Sequence, residues 1–200
     1  MPKIVDHTER RDEILEATRR LILKRGLSAV TMRNIATETG KSTGHVNHYF
    51  ADKNCLLVGI LEASNESFGR RLEEYAAGKA PGRATLRGLL EGALPFDDEQ
   101  RIHWILWFGF GKLVPWGSED DAVRAIQRAR YTDWHRQIKA NFAVAVENGE
   151  FRPEFDIGSE VARLVALVVG LGVESALLGV RKSRSTVMRL VDDQLSTLEA

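Results

Sequence analysis

The sequence predicts an all-α fold of about nine helices. Three observations carry that expectation. Apolar residues recur three and four apart along nearly the whole chain, no stretch alternates with period two, and Gly, Pro and capping residues break the pattern into helix-sized pieces. Ile14, Thr18 and Leu21 share a face of a first helix, with Leu15 and Ile22 beside them, and Gly26 stops it after Lys24 and Arg25. Thr31 caps a short second helix ending at Gly40, and Ser42 caps a third running to about Phe50. Asp52 opens a long fourth with Leu56, Leu57, Ile60, Leu61, Phe68 and Leu72 along it. After the break at 78–82, a helix runs from about Arg83 to Leu94 and is stopped by Pro95. The acidic turn Asp97-Asp98-Glu99 opens another, reaching Pro115. Ser118 with Asp121 resembles a capping box for a helix ending near Gly149. The last two helices run from about Gly158 to Gly179 and from Ser185 to the end.

Composition narrows the function. Apolar residues make up 44% and charged residues 28% of 200, a globular balance that excludes default disorder. The net charge is zero, which excludes a uniformly basic nucleic-acid coat. It is unevenly spread, however: +3 over residues 1–50 and −3 over 51–200, so the front end suits a local anionic partner. The single cysteine, Cys55, excludes an internal disulfide and a Cys-based metal site, and points to a reducing compartment. The charged N-terminus has no apolar signal region. The greasiest stretch, Leu164 to Val173, is too short to cross a bilayer, so a cytoplasmic protein without membrane contact is expected.

Residues 31–50, TMRNIATETGKSTGHVNHYF, hold two short helices around a tight Thr39-Gly40 turn. Ile35 and Ala36 point inward from the first, and Val46 and Phe50, four apart on the second, meet them. Gly40 permits the positive φ of the turn. The second helix then presents Thr43, Gly44, His45, Asn47 and His48 outward. A single helix fits the major groove of duplex DNA, where Asn47 is suited to adenine and His45 or His48 to guanine. Thr31, Arg33, Ser42, Tyr49 and Lys53 flank this face as candidate phosphate contacts, aided by the helix N-termini and by the basic residues of the first helix.

The run GLSAVTMRNIATETGKSTGHVNHYFADKNCLL, above all its HYF-x-D-K-x-x-LL ending, resembles the DNA-binding domain of TetR-type transcriptional regulators, and among them the BetI-type branch, whose founding role is choline-responsive repression. The resemblance is strong over residues 8–62. It implies a helix-turn-helix DNA-binding domain over 1–52 and a helical ligand-binding and dimerisation domain over 53–200. It implies a homodimer on a palindromic site of double-stranded DNA, and repression relieved by a small-molecule effector. Thr43, Gly44, His45, Asn47 and His48 match its recognition helix, and Tyr49 and Lys53 its phosphate contacts. Lys41, His45 and Asn47 depart from its usual residues, so the operator does not carry over.

In the body, Trp104, Trp107, Phe108 and Trp134 are the candidate ligand-binding residues, with Phe110, Trp116 and Tyr131 near them. Gly109 and Gly111 leave space for a close helix crossing or a ligand. Should the resemblance extend to the effector, Trp104, Trp107 and Trp134 would cage a quaternary ammonium by cation–π attraction. Two apolar stripes (Leu164, Val168, Leu171, Ser175, Leu178; and Val187, Leu190, Val191, Leu195, Leu198), with the small row Ala162, Ala166, Gly170, supply a core face and a four-helix dimer seam. The five histidines form no metal pattern beyond a weak His45–His48 clip, and no cofactor motif or catalytic set appears. Cys55 reads as an inert, half-buried thiol. The rival readings are an all-α enzyme and a helical interaction protein that does not bind DNA.

Overall fold

The computed structural model describes residues 7–113 and 122–200, and the side chains of all of these except 110–113, 122 and 123. Among the described residues are nine α-helices and no strand: α1 (His7–Arg25), α2 (Met32–Thr39), α3 (Thr43–Tyr49), α4 (Lys53–Ala76), α5 (Arg83–Ala93), α6 (Asp98–Leu113), α7 (Ala122–Glu147), α8 (Ile157–Leu177) and α9 (Arg184–Ser196). A 3-10 turn, Leu27–Ala29, links α1 to α2. The expected caps are made. Thr31 Oγ1 accepts from the Asn34 N–H at 3.1 Å, Ser42 Oγ from His45 at 3.1 Å, and Asp52 Oδ1 from Cys55 at 2.8 Å. Asp97 holds the start of α6 through Gln100 at 3.0 Å, and Asp156 that of α8 through Ser159 at 2.7 Å. Each satisfies an N–H that the helix start leaves without a partner.

Two apolar cores form. The first unites α1, α2 and α3 with the front half of α4, burying Ile14, Ile35, Val46, Phe50, Leu56 and Ile60. It also takes in Ile102 and Leu106 of α6. The second gathers the back half of α4 with α5 to α9 around Phe142, Leu86, Leu164 and Val191. The helix α6 thus contributes to both, since Trp104, between Ile102 and Leu106, lies in the second core. At α9, Arg87 of α5 grips Asp192 through two hydrogen bonds of 2.6 and 2.9 Å.

Several expectations are corrected. The last helix stops at Ser196 rather than at the chain end, because Leu198 is buried and its carbonyl accepts from the Arg152 N–H at 2.9 Å. Leu164, Val168, Leu171 and Ser175 face the core, but Leu178 lies past the end of α8 and is 69% exposed. Leu190 stands out at 39% while Val187, Val191, Leu195 and Leu198 are buried. The thiol of Cys55 is exposed rather than half-buried. Pro115, Trp116, the Ser118–Asp121 cap and the side chains at Phe110 and Gly111 lie outside the described residues.

Candidate nucleic-acid interface and aromatic cavity

Helix α3 is seven residues long and buries one edge only. Val46 is fully buried, and Phe50 just beyond the helix is 2% exposed. They close on Ile35 and Ala36 of α2 across a turn at Gly40, whose φ of 67° an L side chain adopts only with strain. The opposite edge is polar and open. Ser42, Thr43, Gly44, Asn47 and His48 are exposed, and His45 and Tyr49 half-exposed. The four-residue spacing of Val46 and Phe50 therefore fixes which side chains face outward.

Around this face, charge is sorted. Arg10 pairs with Glu13, Lys24 and Arg20 with Glu38, and Arg19 with Glu99. These α1 cations are already matched, so the basic first helix offers less attraction for an anion than its residue count implies. Glu13 and Glu38 are held below the usual carboxylate range, chiefly by their hydrogen bonds to Arg10 and Lys24. Among the described residues of the front end, Arg11, Arg25, Arg33, Lys41 and Lys53 form no ion pair, Arg11 lying instead over the Phe50 ring at 5.1 Å. Arg33, Lys41 and Lys53 lie on α2, in the turn before α3 and at the first position of α4. Thr31 and Ser42 spend their oxygens as cap acceptors, and each hydroxyl retains its proton to donate. One neighbour was not legible in the sequence. His7, at the start of α1, brings its ring within 5.7 Å of His48 and 5.6 Å of Tyr49.

In the body, the candidate aromatic residues do come together. Trp104 contacts Trp107 (5.7 Å between ring centres) and stacks with Phe108 (5.6 Å), and Trp107 stacks with Tyr131 at 6.0 Å. Trp134 reaches the group through Tyr131 and Phe68. The Trp104 indole N–H donates to the Ala93 carbonyl at 2.9 Å. Its ring lies on Gly172 of α8, where a Cβ would come within 2.6 Å of it. Gly109 serves a close approach rather than a ligand, since a Cβ there would stand 2.4 Å from the Leu27 side chain. Trp104, Trp107, Tyr131, Trp134 and Phe68 border a cavity of about 20 Å³, together with His103, Arg130 and Val169, which is room for about one water. Phe108 lies outside it, on an open depression shared with Trp107 and Tyr131. His103 stacks on Phe68 at 4.2 Å and pairs with Ser64 at 3.2 Å. Burial, with nearby Arg130 adding to it, pushes its imidazole down to about 3. Sequence spacing had singled out neither His103 nor Arg130.

A larger open cleft of about 490 Å³ lies where the α5–α6 turn meets the α8–α9 loop. Its charges answer one another: Arg101 and Arg181 with Asp98, Lys182 with Glu174, Arg71 with Asp97. No described helix is long and apolar enough to cross a membrane.

Known proteins share this architecture. Residues 14–60 match the model of the bacterial regulatory proteins of the tetR family, and residues 81–199 that of the BetI-type transcriptional repressor C-terminal domain. The chain is 30% identical to the HTH-type transcriptional regulator PksA of Bacillus subtilis, covering 99% of this chain and 94% of that one. It is also 30% identical to the HTH-type transcriptional regulator BetI of Burkholderia mallei, covering 100% and 98%. Among solved structures, a transcriptional regulator from Saccharomonospora viridis in complex with choline superposes with a TM-score of 0.82 at 27% identity, over 94% of this chain and 96% of that one.

Proposed function

Because this chain belongs to the TetR family of bacterial regulatory proteins, with a BetI-type C-terminal part, it is a helix-turn-helix transcriptional regulator, and we propose that it represses as a homodimer until a small molecule occupies its helical body. The supporting observation is the one-sided burial of α3, with Arg33, Lys41 and Lys53 unpaired around its polar face. In this reading Thr43, Gly44, His45, Asn47 and His48 meet base edges, while Thr31, Arg33, Ser42, Tyr49 and Lys53 hold phosphates. Residues 1–52 form the DNA-binding domain and residues 53–200 the ligand-binding and dimerisation domain. The protein acts in the cytoplasm and catalyses no reaction.

The dimer seam is assigned to the outer faces of α8 and α9. Ala162, Ala166 and Gly170 are exposed in a row that permits close helix approach, and Leu177, Leu178 and Leu190 stand out beside it. Two α3 helices then read half-sites about 34 Å apart, one turn of DNA. The effector site is assigned to the aromatic cavity bordered by Trp104, Trp107 and Trp134, with Phe108 packed behind the Trp104 and Trp107 rings, rather than to the larger cleft, whose charges are already paired. The link between the two functions is α6. It carries Trp104 and Trp107 at the cavity, and Ile102, Leu106 and Gly109 against the DNA-binding part, so a ligand that moves it moves both.

A gel shift with the DNA flanking its own gene tests the reading. A saturable, sequence-specific shift is expected, weakened about 1–3 kcal/mol by Asn47→Ala with relaxed preference at one base. Absence of any specific shift sinks the proposal.

A further inference from the structure

The rings of the cavity do not by themselves say what charge the effector carries, but their neighbours do. Among the described residues, no carboxylate borders the cavity, and Arg130 does. Arg130 is half-buried and forms no hydrogen bond or ion pair with any described residue. Gly69 of α4 makes room for it, since a Cβ there would lie 3.1 Å from its guanidinium. Trp134 also borders the cavity. It is 4% exposed, and its indole N–H is buried without an acceptor among the described residues. Beyond Trp107 and Tyr131 lies an open depression of about 370 Å³ that carries Arg128 and Gln127 and again, among the described residues, no carboxylate. An unpaired guanidinium and an unanswered donor both seek an acceptor oxygen, and the same guanidinium repels a cation approaching the rings.

We infer that the effector is an apolar carboxylate, its oxygens on Arg130 and the Trp134 indole N–H and its ring or chain among Trp104, Trp107 and Tyr131. The inference rests on the aromatic cavity being the effector site. It separates this chain from the neighbour solved with choline, because a quaternary ammonium would meet Arg130 with no counter-charge among the described residues. The cavity at about 20 Å³ is too small for such a ligand. The half-buried Trp107–Tyr131 stack stands between it and the outer depression, so binding parts these two rings, and Trp107 reports the event.

The full-length protein is titrated with phenylacetate, 4-phenylbutyrate, octanoate and decanoate, each beside its primary amide, and with choline. Tryptophan fluorescence is read, with calorimetry as a second measure. At least one carboxylate is expected to bind about tenfold or more tighter than its amide, with no saturation by choline. Arg130→Gln is expected to erase that preference while leaving amide affinity in place, and Trp134→Phe to weaken the acid while the protein stays folded by thermal melting. Choline or an amide binding as tightly as the acid overturns the inference. So does an unchanged preference in Arg130→Gln, or no saturable change with any of the four acids. A gel shift of the unliganded protein runs alongside. Loss of specific DNA binding there strikes the regulatory reading, whereas intact DNA binding with no response to the acids strikes the effector class alone.

Discussion

Acidification from pH 7 to pH 5 should cost this protein stability through one side chain, His103. The imidazole is buried against Phe68 and beside Arg130, and its folded-state pKa falls from the ordinary 6.5 to about 3. A depressed histidine is protonated first in the unfolded chain. Its penalty is therefore absent above about pH 7, and grows as pH falls from about 6.5 toward about 3. Linkage gives about 2 kcal/mol lost at pH 5. The carboxylates act in a lower window. Asp192 is held down chiefly by its hydrogen bond to Arg87, and its stabilisation is lost only as pH falls below the usual aspartate range. Urea unfolding at fixed protein concentration, at pH 7 and pH 5, isolates the histidine. With a slope of about 2 kcal/mol per M, the midpoint should move down by about 1 M. His103→Phe keeps a ring against Phe68 and should abolish most of that movement. A wild-type midpoint that does not move, or an equal movement in His103→Phe, would refute the reasoning.

Gly172→Ala places a Cβ 2.6 Å from the Trp104 ring and should lower stability by about 1–3 kcal/mol in the same unfolding assay; an unchanged midpoint would mean that α8 yields there. Gly109→Ala meets only the flexible end of Leu27, so stability should fall less. Operator affinity should still drop as the Leu27–Ala29 turn shifts, and an unaltered gel shift would break the proposed link through α6. Lys53→Ala should weaken binding to specific and random DNA alike and reduce the salt slope by about one; a loss confined to the specific site would make Lys53 a base reader.

Much of the candidate interface was legible because its causes are local. Thr31, Ser42 and Asp52 each cap the helix that starts at the next residue by accepting from the N–H three residues on, and Val46 and Phe50 recur at one helical turn, so both the helix starts and the outward face of α3 follow from neighbours in the chain. The body was legible only in outline. The tryptophans announced a cluster, but spacing alone did not distinguish a filled one from an open cage. The pairing of α1 cations with Glu38 and Glu99 was invisible, since partners so distant in sequence meet only when helices pack.

The chain order of residues therefore determined the all-α class, the helix ends and the polar edge of α3, each set by contacts within about one turn. Only the tertiary structure decided that α6 belongs to two cores, that Gly109 makes way for Leu27, and that Arg130 borders the rings with no acid beside it among the described residues. Those facts depend on side chains tens of residues apart. Their meeting is fixed by how whole helices cross, which no local pattern encodes.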